Sequence, residues 1–224
     1  MATMRFLALE TATRRLSAAL WIDGAVSEQS LDSMNGGSEW LLPAVRTLLA
    51  DSGTRLIDLD GIAFDCGPGA FTGLRLAAGC AQGLAFGLDL PVLGVCSLQA
   101  LAMASGRNKV FACLDARMNE VYSAAYLNGT EVYGPSVTPP GAVPLPPGDG
   151  WVGCGDGFAA YRDLLPKFSC VYEHVLPTAA AVAALAASRF ACGEAGLAAD
   201  AVPLYVRDKV ALTTAERLAR GGVR

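Results

Sequence analysis

Residues 59–73 have the sequence LDGIAFDCGPGAFTG, and this stretch decides the fold class. Leu59 to Cys66 is a short, mostly apolar run, which is typical of a buried strand. The glycine-rich turn from Gly67 to Gly73 follows it, and apolar residues then continue with helical spacing from Thr72 to Gly87. A buried strand that turns through glycines directly into a helix predicts an α/β protein.

The segments before this stretch predict antiparallel strands and a helix. Asp23-Gly24 separates two extended runs, and it predicts a hairpin because both central residues of a type I′ turn need positive φ. Apolar residues at helical spacing predict a helix from Ser38 to Ala50, with Ser38 as its N-cap. Another helix is predicted from Ser97 to Ala104, capped by Ser97.

The second half of the chain repeats this order. Strands are predicted over residues 110–114, 121–127 and 131–137, with a hairpin turn at Asn128-Gly129. Helices are predicted from Gly157 through Leu165 and from Thr178 to Phe190. The repetition predicts two related lobes, residues 1–105 and 106–224, each a mixed sheet with flanking helices.

Composition narrows the class of protein. The chain has 224 residues, of which 53% are hydrophobic and 17% charged, and its formal net charge is −4. A protein that holds a phosphate backbone alone is usually basic, so we expect no independent nucleic-acid binding. The seven cysteines form no CxxC pair, which predicts reduced thiols and a cytoplasmic location. No apolar run is long enough to predict a membrane span.

The usual catalytic and metal-binding motifs do not occur. His174 is the one histidine, and the sequence contains no GxSxG, HExxH or GxxxxGK[ST] motif. We therefore expect no catalytic residue and no metal site. The turn at Gly67–Gly73 resembles GxGxxG, but its third glycine is one place late for a dinucleotide site. Two interpretations remain: an anion cradle at the helix N-terminus, or a tight turn that lets strand and helix pack closely.

The helix after this turn is apolar on both sides, and Gly79, Gly83 and Gly87 follow one another along one of them. Each glycine costs about 0.8–1 kcal/mol relative to alanine inside a helix, so the three together cost about 2–3 kcal/mol. Close approach of a second helix would explain this cost. That helix is either Ser38–Ala50 of the same chain or one from a partner.

Several motifs together resemble one family. Residues 67–75, GPGAFTGLR, are similar to the hallmark GPGSFTGLR of the TsaB family, and residues 114–122 are similar to its DAR…EVY segment. Residues 38–43, SEWLLP, resemble its HSxxLLP helix start, with glycine at the histidine position. Residues 97–102 and 205–211 also fit the family pattern.

The resemblance implies a fold and a function. The family has the two-lobed fold of actin, sugar kinases and Hsp70-type ATPases. Its members are the non-catalytic subunit of the complex that makes N6-threonylcarbamoyladenosine beside the anticodon of tRNA. The implied partners are a TsaD-like catalytic subunit and a TsaE-like ATPase, with tRNA bound only through the complex. A homodimer is possible when the partner is absent, and ATP or ADP at the subunit interface is a further possibility.

The resemblance, together with the glycine-rich turn and the glycines of the helix after it, assigns two sets of candidate site residues. It places the helix pair of the first lobe at the subunit interface, and the predicted partner surface comprises Trp40, Leu41, Val45, Leu48, Phe71, Leu76, Gly79, Gly83 and Gly87. For Trp40, packing within the lobe is the alternative, and Phe71 is expected to fill either the core or an interface. The residues predicted to hold a nucleotide or anion are Gly67, Gly69, Thr72, Arg75, Asp115 and Arg117.

An enzyme of the same fold, a kinase or ATPase acting alone, is the alternative function. The first strand continues as Glu10-Thr11-Ala12-Thr13, and the second lobe has Asp115-Ala116-Arg117 at the corresponding loop. Neither loop has the glycine that lets phosphate approach the backbone, which argues against this alternative. Asp115 and Arg117 either pair with each other or bind a ligand. Arg75 lies near the positive end of a helix dipole, so we expect an anionic group to face it.

Overall fold

The computed structural model describes residues 3–32 and 37–207, which form two five-stranded sheets. Residues 208–211 of the family-like C-terminal motif lie outside this range. The first sheet has strands β1 (Arg5–Glu10), β2 (Arg15–Ile22), β3 (Ala25–Asp32), β4 (Gly61–Gly67) and β5 (Val92–Cys96). The second has β6 (Lys109–Arg117), β7 (Glu120–Leu127), β8 (Thr130–Thr138), β9 (Val152–Cys154) and β10 (Val171–Tyr172).

The two sheets have the same topology. Their orders are β3-β2-β1-β4-β5 and β10-β9-β6-β7-β8, so β6 to β10 repeat the places of β1 to β5. In each sheet the first three strands are antiparallel and the last two are parallel. This duplication confirms the predicted actin-like class of two mixed sheets with flanking helices.

The hairpin predictions are confirmed. Asp23 and Gly24 have φ of 46° and 95°, and Asn128 and Gly129 have φ of 51° and 78°. These are the left-handed conformations that a tight turn between antiparallel strands requires.

The helices are α1 (Ser38–Ser52), α2 (Phe71–Leu88), α3 (Ser97–Ala104), α4 (Gly157–Ala160) and α5 (Ala179–Ala191). Thr178 caps α5 as its side chain accepts the Ala181 N–H at 3.1 Å. The predicted caps Ser38 and Ser97 are wrong, because each is the first helical residue and follows Gly37 or Cys96 at the cap position.

Prediction was also wrong for α4, which ends at Ala160 rather than Leu165. The backbone leaves the helical region at Tyr161, where φ is −134°. The amides of Leu164 and Leu165 then both donate to the Tyr161 carbonyl, which forms a turn instead of another helical segment.

The two faces of the first sheet pack against two separate clusters of buried residues. Leu7 and Leu9 of β1 point toward α1 and α2, whereas Phe6 and Ala8 point toward α5. Helix α3 packs against β6 and β7, and α5 packs against β1 and β2. Helix α5, the last helix of the second half, therefore covers the first sheet. The predicted lobe boundary between residues 105 and 106 stays a prediction.

Two further predictions from composition can be compared with the structure. All seven cysteines are free thiols. Within the described residues, no helix combines the length and the hydropathy that crossing a membrane requires.

Candidate functional site

The glycine loop between β4 and α2 packs against the turn between β1 and β2. The Ala70 N–H donates to the Ala12 carbonyl at 2.7 Å, and the Thr11 hydroxyl donates to the Gly73 carbonyl at 2.6 Å. A Cβ at Gly69 would lie 2.6 Å from the Cβ of Ala12, and one at Gly73 would overlap the Thr11 carbonyl oxygen. These glycines therefore allow close packing within the chain, but the loop packs against the β1–β2 turn, whereas the prediction was close packing of the strand and the helix.

A cleft of about 840 Å³ lies between this loop and the turn that joins β6 to β7. One wall comes from the β1–β2 turn and the start of α2, and the other comes from residues 114–117 and Asp156. Five of the six predicted anion-binding residues line it: Gly69, Thr72, Arg75, Asp115 and Arg117. Gly67 lies behind the cleft, with φ of 114°, and a Cβ there would lie 2.9 Å from Leu74.

Arg75 faces aromatic side chains. Its guanidinium lies 3.8 Å from the centre of the Phe71 ring and donates to the Tyr205 hydroxyl at 3.2 Å. No carboxylate pairs with it in the part of the chain that the structure describes. Among the described residues, a cation–π contact therefore takes the place of the predicted anionic neighbour, and no carboxylate there compensates the positive charge of Arg75.

Asp115 and Arg117 form an ion pair of 3.1 Å. The same carboxylate accepts the Arg117 N–H at 2.8 Å and the Tyr161 hydroxyl at 3.2 Å. The Asp115 N–H in turn donates to Asp156 at 3.1 Å, and burial raises the pKa of Asp156. Of the two predicted alternatives, pairing with each other is what the structure contains, although the Arg117 side chain is still mostly exposed.

Residues 203–207 form a strap along the cleft. The Leu204 N–H donates to the Cys66 carbonyl at 2.7 Å, which attaches the strap to the first sheet. Arg207 donates to the Ala116 carbonyl at 3.1 Å and to Glu120 at 2.5 Å, which attaches it to the second. The strap thus joins both walls of the cleft.

The outer face of α2 carries three glycines and an exposed aromatic ring. The inner face is buried on the first sheet through Leu74, Ala77, Ala78, Ala81 and Ala85. On the outer face, no described atom lies within 4 Å of the Cβ position of Gly79, Gly83 or Gly87. Phe86 lies on the same face and is 85% exposed. Packing against Ser38–Ala50 of the same chain therefore does not explain the glycines.

Comparison with known proteins identifies the family. The tRNA threonylcarbamoyladenosine biosynthesis protein TsaB of Escherichia coli K12 is 38% identical over 93% of this chain and 96% of its own length. This chain belongs to the TsaB family. The TsaB of Haemophilus influenzae is 33% identical over 94% of this chain and 96% of its length.

A solved structure and a family model are also similar to this chain. YeaZ from Pseudomonas aeruginosa has a TM-score of 0.86 and 37% identity, over 90% of this chain and 99% of its own. Residues 35–144 match the family model described as "TsaD: tRNA N6-adenosine threonylcarbamoyltransferase".

Some residues predicted for the partner surface of this TsaB-family chain lie elsewhere. Leu41, Val45 and Leu48 are enclosed in the core between α1 and the first sheet. This corrects their assignment, because a helical wheel finds the apolar face of α1 but does not say whether the chain's own sheet covers it. Trp40 and Leu76 are half-buried against the same core. Phe71 and the three glycines are exposed.

Three residues at these surfaces were not predicted. Phe86 lies seven residues after Gly79, so helical spacing does place it on the glycine face and could have identified it. Tyr205 and Arg207 belong to a family-like motif, but their contacts are with residues far away in the sequence. No local pattern indicates such contacts.

The described residues also show how the metal-ligating side chains and the one histidine are arranged. Among the described residues, no group of three or more His, Cys, Asp or Glu side chains is arranged to hold a metal ion. The side chain of His174 is exposed and lies 3.7 Å from Glu173, outside the cleft.

Proposed function

We propose that this chain is a non-catalytic subunit that binds and supports a TsaD-like catalytic subunit in the cytoplasm. The complex would form N6-threonylcarbamoyladenosine at the adenosine beside the anticodon of tRNA. The observation that carries the proposal is the outer face of α2, with its open glycines and exposed Phe86. The names of the relatives from Escherichia coli and Haemophilus influenzae supply the pathway.

The energetics of α2 favour a helix of a partner on this face. Three glycines inside the helix cost about 2–3 kcal/mol relative to alanine, and no contact within the described chain uses the space they leave. Small residues let a second helix approach closely, and an exposed aromatic ring beside them is the type of side chain that anchors an interface. Arg75 is the one charged residue of α2, so burying this face against a partner removes few charged groups from water.

The protonation and pairing of the reactive groups support a non-catalytic role. Burial raises the pKa of the Cys66 and Cys154 thiols to about 12, so neither is a thiolate at neutral pH. The Asp115 carboxylate is already engaged by Arg117 and Tyr161. Neither kind of group is prepared to act as a nucleophile or a general base.

The wider assembly is part of the same proposal. A TsaE-like ATPase would bind the pair, and tRNA would be held only through the complex, as the net charge of −4 favours. ATP or ADP would lie at the subunit interface beside the cleft. Arg75, whose charge is not neutralised by a carboxylate in the described chain, supports an anionic ligand there.

The test is to co-purify this chain with the TsaD-like protein of its own organism and to measure the mass of the product by light scattering. We expect a heterodimer for the wild type. Gly83→Trp should raise the Kd by more than about thirtyfold, because truncating or blocking an interface centre costs at least about 2 kcal/mol. Circular dichroism and the melting temperature would establish that the variant folds.

Gly141→Trp is the matched control. This glycine is also exposed, has open space at its Cβ position and lies in the second half of the chain, away from α2. Equal affinity of both tryptophan variants would overturn the assignment of the surface. Absence of a heterodimer at micromolar concentration would overturn the partner role, and ATP hydrolysis by the isolated chain would favour a stand-alone kinase or ATPase. A homodimer of the isolated chain that Gly83→Trp dissociates would indicate the same face.

A further inference from the structure

Two buried carboxyl groups lie side by side beneath the cleft. Glu10 ends β1 and Asp65 lies near the end of β4, and the parallel register that pairs Leu9 with Phe64 brings them next to each other. Both residues have 0% of their surface exposed, and the neighbouring Asp65 carboxyl group contributes to the raised pKa of Glu10. Neither has a place in the proposed partner surface.

One oxygen of each carboxyl group is satisfied by donors. Oε1 of Glu10 accepts the Ala12 N–H at 2.9 Å. Oδ1 of Asp65 accepts the Gly67 N–H at 2.7 Å and the Ser97 hydroxyl. Oε2 of Glu10 and Oδ2 of Asp65 are completely buried and have no donor in the described part of the chain. These two oxygens belong to carboxyl groups on adjacent strands, and a single hydrogen between them would give both a hydrogen-bond partner.

Among the residues that the structure describes, the charged groups near the pair do not neutralise it. Glu28 on β3 is a further negative charge near Glu10. The charge of Glu10 contributes to the raised pKa of Arg15 on β2, but the Arg15 guanidinium pairs with Asp32 at 3.0 Å. The thiols of Cys66 and Cys96, which lie near Asp65, have raised pKa values and are neutral. Two ionised carboxylates side by side in this setting would repel each other without water to screen them.

We propose that Glu10 and Asp65 share one proton at neutral pH, and that the resulting carboxylic acid–carboxylate pair holds the β1–β2 turn against the glycine loop. The proton supplies the hydrogen bond between Oε2 and Oδ2. The other two oxygens hold the amides of Ala12 and Gly67, and the Ala12 carbonyl receives the Ala70 N–H. The pair therefore fixes the start of α2 and the floor of the cleft together. This inference does not depend on the proposed function.

The proton makes stability depend on pH with a defined sign. Burial and the neighbouring carboxylate raise the pKa of Glu10 well above its usual value, and burial raises the pKa of Asp65 to about 6. In the unfolded chain both groups titrate near pH 4. Since the folded state retains protons that the unfolded state has lost, this contribution is complete below about pH 4 and is lost as pH rises through the folded pKa values.

Urea denaturation of the full chain between pH 6 and pH 8 tests the pair. One retained proton lowers the ratio of folded to unfolded protein by up to about tenfold per pH unit, or about a hundredfold over this range. Glu10→Gln should remove this dependence, because its amide donates to Oδ2 of Asp65 at every pH. Glu28→Gln is the control: it removes a nearby negative charge from an exposed strand and should keep the wild-type dependence.

Infrared spectroscopy of the wild type at pH 7 provides an independent measurement. We expect the carbonyl band of a protonated carboxyl group, and we expect its loss in Glu10→Gln or, if that variant does not fold, in Asp65→Asn. An unchanged pH dependence in Glu10→Gln, or the absence of the band from the wild type, would overturn the proposal. Stabilisation of the wild type by added Mg²⁺ or Ca²⁺ would assign the two oxygens to a metal ion instead, and would overturn it as well.

Discussion

The two sheets share one strand order but are covered in different ways. Between β3 and β4 the first sheet has the 15-residue helix α1, and between β4 and β5 it has the 18-residue helix α2. At the corresponding places the second sheet has a proline-rich loop with one 3₁₀ turn and the four-residue helix α4. The duplication is thus complete in the strands and incomplete in the helices.

Aromatic side chains replace the missing helices on the second sheet. Phe111 of β6 lies 5.1 Å from Phe168 and 6.0 Å from Phe158, measured between ring centres, and Tyr133 closes the cluster. Large rings bury much apolar area with few residues, so short loops are sufficient to cover this face. A helix does the same and also offers a second, outward face. This difference explains why the candidate partner surface belongs to the first half of the chain.

The largest expected effect tests the aromatic cluster. Phe111→Ala should lower the free energy of unfolding by about 3–5 kcal/mol, because it leaves a cavity beneath the loops and the short helix α4 that cover this sheet. Urea denaturation followed by circular dichroism measures it. Leu164→Ala, at an exposed position of the same half, should change stability by less than about 0.5 kcal/mol. A loss below 1 kcal/mol for Phe111→Ala would mean that the cluster does not replace the helices.

An intermediate effect is expected at the start of α2. Gly73→Ala should destabilise the chain by roughly 1–3 kcal/mol, since the new methyl group would overlap the Thr11 carbonyl and force the β1–β2 turn to move. The same denaturation measurement gives the sign and size of the change. If Gly73→Ala were stabilising, the glycine loop would not be packed against this turn, and the base of the cleft would need a different account.

The sequence was sufficient to predict those elements that are determined by interactions between neighbouring residues. The hairpins at Asp23-Gly24 and Asn128-Gly129 follow from turn chemistry, and the long helices follow from apolar spacing. The early end of α4 was missed because Phe158 and Leu165 have helical spacing. In the structure both residues contact the same aromatic core, but Phe158 lies in α4 and Leu165 lies in the turn after it.

Contacts between residues far apart in the chain could not be predicted from the sequence. Periodicity identified α1 as amphipathic, but Leu41 proved to face the chain's own sheet and not a partner. The strap from residue 203 to 207 has no periodic pattern, and its contacts to Arg75 and Glu120 join positions far apart in the chain. By contrast, the exposed side of α2 was recognisable because glycines inside an apolar helix have a cost that local structure does not explain.

The smallest expected effect separates the two faces of α2 most sharply. Gly79→Ala lies in the same helix as Gly73→Ala but has open space at its Cβ position, so it should stabilise the isolated chain by about 0.8–1 kcal/mol. The same methyl group should weaken the complex with the TsaD-like protein, because it holds the partner helix away. Denaturation of the isolated chain and titration with the partner measure the two effects on one variant. A gain in stability without a loss of affinity would mean that Gly79 does not contact the partner, and it would place the partner surface away from this face of α2.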